Sequence, residues 1–141
     1  VAETLQELAR DDDESRVAIA AAGGIEVLVS LARDGNEAQK EEAAGTLWNL
    51  SANHDNVAAI AAAGGIEVLV SLARDGSEGQ KENAAGALWN LSVNHDNSVA
   101  IAAAGGIEVL VSLARDGNEG QKECAAGALV NMIEAAPGTH E

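Results

Sequence analysis

Gly86-Ala87-Leu88-Trp89-Asn90-Leu91-Ser92 occurs in this chain in three versions. A near copy runs from Gly45 to Ser51, 41 residues earlier, and a worn one, Gly127-Ala128-Leu129-Val130-Asn131-Met132, lies 41 residues later. Trp48 and Trp89 are the chain's 2 Trp residues, and it has no Phe or Tyr. An Asn holds the same place in every copy, at Asn49, Asn90 and Asn131. If any segment binds a partner, this aromatic-bearing one is expected to do so.

Working outward, the whole unit repeats. Gly24-Ile25-Glu26-Val27-Leu28-Val29 recurs from Gly65 and from Gly106. Between residues 24–64 and 65–105 only seven of 41 positions differ: Asn36/Ser77, Ala38/Gly79, Glu42/Asn83, Thr46/Ala87, Ala52/Val93, Val57/Ser98 and Ala58/Val99. Such uniformity suggests recent duplication or engineering.

Each unit reads as three helical pieces. The first is short, about 55–63 in one copy, with Asp55 or Asn56 able to cap it and Gly64-Gly65 ending it. Gly takes the left-handed conformation past a helix end with no Cβ penalty. The second runs from Ile66 to about Arg74, its apolar residues Ile66, Leu69, Val70 and Ala73 at helical spacing. By composition alone Ile66–Val70 also reads as a strand. The third and longest runs from about Glu78 to Val93, opened by a Ser77…Gln80 capping box that Asn36…Gln39 and Asn118…Gln121 resemble. Ala84, Leu88 and Leu91 share one face, as do Ala43, Leu47 and Leu50, and Ala125, Leu129 and Met132.

The division is residues 1–11 as a partial N-terminal helix, repeats at 12–52, 53–93 and 94–136, and a tail at 137–141 opened by Pro137-Gly138. Leu5 and Leu8 take the core places of Leu47 and Leu50. One unit cannot bury its apolar face alone, whereas stacked units share a continuous core. An all-α solenoid of about three three-helix repeats is expected.

The balance of 8 basic against 23 acidic residues gives a net charge of -15. That field repels nucleic-acid phosphates and anionic membranes and attracts basic partners. Its plainer reading is solubility. Nucleic acid is not expected as a partner, nor membrane insertion, since no apolar run approaches the roughly 20 residues of a span. Cys124 is alone, which fits a reducing compartment, cytoplasmic or nuclear. The start at Val1-Ala2-Glu3-Thr4 lacks Met, a basic region and an apolar signal core, so the chain reads as trimmed or excerpted.

The unit resembles the armadillo repeat. Ile101-Ala102-Ala103-Ala104-Gly105-Gly106-Ile107-Glu108-Val109-Leu110-Val111-Ser112-Leu113 carries the likeness for the first two helices, and Ala85–Ser92 for the third. A leucine-rich repeat is excluded by its shorter period and Leu spacing. The resemblance implies a right-handed superhelix whose third helices line a concave groove. It also implies an adaptor that binds extended peptides there, a third-helix Asn pairing with the ligand backbone. Asn49, Asn90 and Asn131 match that Asn. Nuclear-import members carry a Trp four residues before it, where this chain has Gly45, Gly86 or Gly127. The Trp here directly precedes the Asn, which is more similar to catenin-type or vacuolar-adaptor-type repeats.

At about 100° per residue, with Ala43 as the buried direction, Ala38, Glu42, Gly45 and Asn49 form a stripe on the opposite side, flanked by Trp48 and Glu41. Glu42/Asn83/Cys124 is then an exposed, variable position, and Cys124 an idle surface thiol. Amides of adjacent repeats should stand ~10 Å apart, a spacing one extended peptide can follow. Two readings of the Asn stand: each clamps a ligand backbone, or each bonds the neighbouring repeat. Trp48 and Trp89 beside Glu41 and Glu82 suit Lys or Arg through cation–π contact and charge. The alternative packs each indole over Gly or Ala of the next repeat, and partial exposure is expected, with Gly45 and Gly86 leaving a notch beside it.

The candidate ligand-binding residues are therefore Asn49, Asn90, Asn131, Trp48, Trp89, Glu41, Glu82, Glu42 and Asn83, and the expected ligand is an extended, basic peptide or protein segment. The competing reading is a structural or engineered module with no ligand of its own, able to self-associate head to tail through incompletely capped ends. His54-Asp55 and His95-Asp96 lie one repeat apart without converging ligands. The Asp34-Gly35-Asn36-Glu37 loop lacks alternating oxygen ligands, and Gly23-Gly24 follows no strand. The Asn-Leu-Ser sequons at Asn49 and Asn90 fall inside helices. No cofactor, metal or catalytic constellation is expected, so the chain reads as a non-enzyme.

Overall fold

The computed structural model describes residues 23–135. The partial helix over 1–11, the first helix of the 12–52 unit and the 137–141 tail lie outside the described residues. Within them stand eight helices and no strand. They are α1 (Gly24–Asp34), α2 (Glu37–Leu50), α3 (His54–Ala62), α4 (Gly65–Asp75), α5 (Glu78–Leu91), α6 (His95–Ala103), α7 (Gly106–Asp116) and α8 (Glu119–Ala135). The strand alternative for Ile66–Val70 is excluded, because that run lies in α4 with Ile66, Leu69, Val70 and Ala73 on its buried side.

The start and stop signals mostly act as their chemistry dictates. Asn36, Ser77 and Asn118 each accept a hydrogen bond from the backbone N–H three residues on, and Gln39, Gln80 and Gln121 each accept one in return. These capping boxes satisfy N–H groups that an isolated helix start leaves unpaired. The short helices begin one residue earlier than expected, and their cap is neither Asp55 nor Asn56. Asn53 accepts from the Asp55 N–H at 2.9 Å, and Asn94 from the Asn97 N–H at 3.1 Å. Asn56 is buried instead, where its amide donates to the Leu50 carbonyl at 3.0 Å. That carbonyl, at the end of α2, also accepts from the Asn53 N–H at 3.2 Å, so the buried amide adds a second bond to it.

The corner between first and second helices turns by 85° between α3 and α4 and by 88° between α6 and α7. Gly23, Gly64 and Gly105 make that corner with φ of 82°, 82° and 83°. An L residue there pushes its Cβ against the carbonyl oxygen. The following Gly65 lies so close to Ile60 that an added Cβ would meet its Cγ2 at 2.6 Å. The Gly-Gly pair thus combines a backbone requirement with a packing one.

The core runs along the stack. Leu28, Leu47, Leu50, Ile60, Leu69, Leu88, Leu91, Ile101 and Leu110 are fully buried. Each such side chain contributes roughly 2 kcal/mol by leaving water. Ala43, Ala44, Ala84, Ala85, Ala125 and Ala128 of the third helices are fully buried as well. The most extensive contacts are α2 with α5, α5 with α8, and each third helix with the second helix of its own repeat. The stack is thus chiefly a row of third helices backed by second helices. Among the described residues no single helix is long and apolar enough to cross a membrane.

Gly64→Ala at the positive-φ corner is expected to lower unfolding stability by about 1 kcal/mol without loss of helicity, read by chemical denaturation with circular dichroism. An unchanged midpoint would show that the corner tolerates a Cβ.

Candidate functional site

The third-helix face is built across repeats. The half-buried indole of Trp48 lies on Gly86 of the next repeat, and that of Trp89 on Gly127; a Cβ built on either glycine would fall inside the ring system. The notches at Gly86 and Gly127 are therefore filled by the Trp of the preceding repeat and do not stand open. One turn pair earlier, the Glu41 carboxylate lies over Gly79 and that of Glu82 over Gly120, where an added Cβ would stand 2.6 Å from the carboxyl carbon in each case. Positions 41 and 48 of one helix thus fit over positions 79 and 86 of the next. The Ala38/Gly79/Gly120 variation belongs to packing, at least at the two glycines.

The asparagines sit in the same seam. Asn90 Nδ2 donates to the Trp48 carbonyl at 3.2 Å and to Ser51 Oγ at 3.0 Å. Asn131 repeats this with the Trp89 carbonyl at 2.9 Å and Ser92 Oγ at 3.3 Å. Asn83 Nδ2 donates to the Glu41 carbonyl at 3.0 Å. The Trp48 and Trp89 carbonyls lie in the last turn of their helices, where no intrahelical N–H is available. Of the two readings of these amides, the inter-repeat bond is the one observed at Asn90 and Asn131. The glycine-mediated approach of the helices brings the preceding carbonyl within reach, and both N–H bonds of each amide are made inside the stack. What each can still present is Oδ1, an acceptor suited to a peptide N–H. The repeat preceding Asn49 lies outside the described residues.

Cys124 takes the place of Asn83 in the third repeat. It is buried, with 4 % of its surface exposed, so the expectation of a surface thiol is corrected. Burial, and then the Glu82 and Glu123 carboxylates, push the thiol up to about 11, away from the reactive thiolate. Sulfur cannot replace the amide donor, so the rung from position 124 to the Glu82 carbonyl is missing. Glu42 and Asn83 are half-buried, so this position is a seam position where the wheel expected an exposed one.

Sequence reasoning missed a further rung. Gln80 and Gln121, each 1 % exposed, donate through Nε2 to the Glu37 and Glu78 carbonyls at 2.9 Å. They also reach the Glu37 and Glu78 carboxylates at 3.0 and 3.1 Å. Their recurrence three residues after each cap pointed to the capping box alone. The cations gather elsewhere. Arg33 and Lys40 line a cleft of about 290 Å³ with Glu67, and Arg74 and Lys81 line its copy of about 320 Å³ with Glu108. Among the described residues no group of three or more His, Cys, Asp or Glu could hold a metal ion.

Two substitutions test the seam. Gly86→Ala is expected to destabilise by about 1–3 kcal/mol through its clash with the indole. Combining it with Trp48→Ala should remove most of that penalty, so a double-mutant cycle with no coupling would refute the contact. Cys124→Asn should restore the missing rung and raise stability by about 1 kcal/mol, seen as a higher melting temperature. A lower melting temperature would mean the pocket cannot seat an amide.

The armadillo/beta-catenin-like repeat model matches residues 12–52 and 53–93, more than half of the chain. No curated protein matches this sequence. An engineered protein solved as a structural-genomics target is 36% identical over 95% of this chain and 57% of its own, with a TM-score of 0.88. A computationally designed armadillo repeat protein for modular peptide recognition is 28% identical over 97% of this chain and 58% of its own, with a TM-score of 0.90. A designed armadillo repeat protein in complex with the peptide (KR)4 is 26% identical over 96% of this chain and 62% of its own, with a TM-score of 0.83. The chain therefore spans about three fifths of the length of these solved structures. With its three-helix unit, Gly-Gly corner and third-helix signature, it belongs to the armadillo repeat family.

Proposed function

We propose that the chain is a peptide-binding scaffold for extended basic segments, which lie across the third helices α2, α5 and α8. The observation that carries this reading is the pairing of Glu41 with Trp48 and of Glu82 with Trp89. Each carboxylate and indole is held in place by a glycine of the next repeat, and each indole keeps part of its surface open. The cations Arg33, Lys40, Arg74 and Lys81 line clefts whose walls include none of Glu41, Trp48, Glu82 and Trp89. A Lys or Arg side chain laid against an indole edge beside a carboxylate gains both cation–π attraction and charge pairing. The Oδ1 atoms of Asn90 and Asn131 would accept ligand backbone N–H bonds. The likeness to a designed relative seen with (KR)4 supports the same ligand class.

A second reading, a repeat module with no ligand, draws on the use of the Asn N–H groups inside the stack. The two readings differ in what the indoles report. In the ligand reading, a Lys/Arg-alternating peptide shifts the fluorescence of Trp48 and Trp89, and an Asp/Glu-alternating peptide does not. Raising salt weakens the effect. Trp89→Ala and Glu82→Gln are each expected to reduce affinity about tenfold, with circular dichroism as the folding control. Equal response to acidic peptides would overturn the basic preference. No response to either peptide by fluorescence or calorimetry would favour the module without a ligand.

A further inference from the structure

Every Lys and Arg among the described residues falls on one of two positions of the repeat: Arg33, Arg74 and Arg115, or Lys40, Lys81 and Lys122. The arginine lies in the last turn of each second helix, and the lysine follows the cap of each third helix by four residues. Two joints between repeats turn this pattern into matching clefts. Arg33, Lys40 and Ser71 line one, Arg74, Lys81 and Ser112 the other, each with a single carboxylate, Glu67 or Glu108. In a chain with 23 acidic and 8 basic residues, these are places where cations outnumber carboxylates.

The cations of the second cleft are unpaired. Among the described residues neither Arg74 nor Lys81 forms an ion pair or a side-chain hydrogen bond. Glu108 stands in the same cleft within ion-pair reach of neither. It belongs to the first turn of α7, where a carboxylate suits the positive end of the helix. The cations have the opposite setting. Lys81 lies in the opening turns of α5, and a Cβ added to Gly105, which caps the start of α7, would stand 3.6 Å from Arg74 Nη2. Both charges are thus held near positive helix ends, which disfavour a cation and favour an anion beside it. Lys81 is half-buried and Arg74 exposed, so a ligand can reach the pair from outside. In the first cleft Lys40 is likewise unpaired, and Arg33 lies 3.9 Å from its neighbour Asp34, an exposed contact of little strength.

We propose that the two clefts form a second binding face, sharing no residue with the third-helix groove, that takes an extended acidic peptide segment. Each cleft receives one carboxylate, met by the guanidinium and the ammonium together, with the Ser71 or Ser112 hydroxyl as a further donor. Neighbouring helices of a stack stand roughly 10 Å apart. A polyproline-II segment advances about 3.1 Å per residue and returns every third side chain to one face, which places successive carboxylates ~9 Å apart. The fitting segment therefore carries Glu at every third position. At physiological ionic strength the screening length is about 8 Å, so carboxylates elsewhere on the chain oppose the segment less than the cations in contact attract it.

Calorimetry on the full chain at physiological salt tests this, with a peptide of repeating Glu-Pro-Pro triplets and its Gln-Pro-Pro counterpart. The Glu peptide is expected to bind saturably and the Gln peptide not to bind. Arg74→Gln and Lys81→Gln should each weaken binding about threefold, and Glu108→Gln should strengthen it, with circular dichroism as the folding control. No binding of the Glu peptide overturns the proposal, and so does equal binding of the Gln peptide. Affinity unchanged in the folded Arg74 and Lys81 variants places the acidic segment elsewhere and also overturns it. Inorganic phosphate binding as tightly as the peptide would reduce the face to a small-anion site and overturn the peptide partner.

Discussion

The stack depends on an indole lying against a backbone that has no side chain. Trp48 on Gly86 and Trp89 on Gly127 bring adjacent third helices close enough for side-chain amides of one to reach backbone carbonyls of the other. The distance between packed helices depends on the side chains at their contact. Here small residues on one side and a flat ring on the other narrow that gap. The amides at positions 80, 83 and 90 then use it, one near each end of the helix and one between.

The seam constrains the function proposed for it. A groove that binds a peptide must keep its contact groups fixed before the ligand arrives, or ordering them reduces affinity. Gly86 and Gly127 seat the indoles, and Gly79 and Gly120 lie under the Glu41 and Glu82 carboxylates, so the acidic and aromatic groups lie where the packing of the repeats puts them. The amide N–H groups, however, are consumed by the stack. Any ligand must therefore be held chiefly through side chains and through acceptors on the protein, which fits a ligand rich in donors.

Much of the fold was legible in the chain because its signals are local. A Ser or Asn with Gln three residues on opens each third helix, and paired glycines turn each corner. What could not be read locally was burial. A helical wheel assumes one buried direction, which suits a helix at the surface of a globular domain. A third helix in a solenoid is covered by its own repeat and by a neighbour on each flank. Cys124 stands about 100° around its helix from the core direction and is still buried. For the same reason the spacing alone left open whether Asn90 faces a ligand or a neighbour. It faces the neighbour because Gly86, four residues earlier, draws the preceding helix in. The displaced cap at Asn53 is a smaller case: four polar residues in succession, Asn53 to Asn56, could each start the helix, and the core selects Asn56 for burial.

Gln80 and Gln121 tie together two events that are separate in most helical proteins. The carbonyl end of each amide helps start its own helix, while the nitrogen end anchors that helix to the repeat before it. A third helix whose first turn frays therefore loosens its docking as well. In a linear array, where each unit touches only its neighbours, this coupling raises the interfacial free energy relative to the intrinsic stability of a single unit. The boundary between folded and unfolded units then becomes costly to create. With so few units, melting should spread through the array as one event and not peel inward unit by unit.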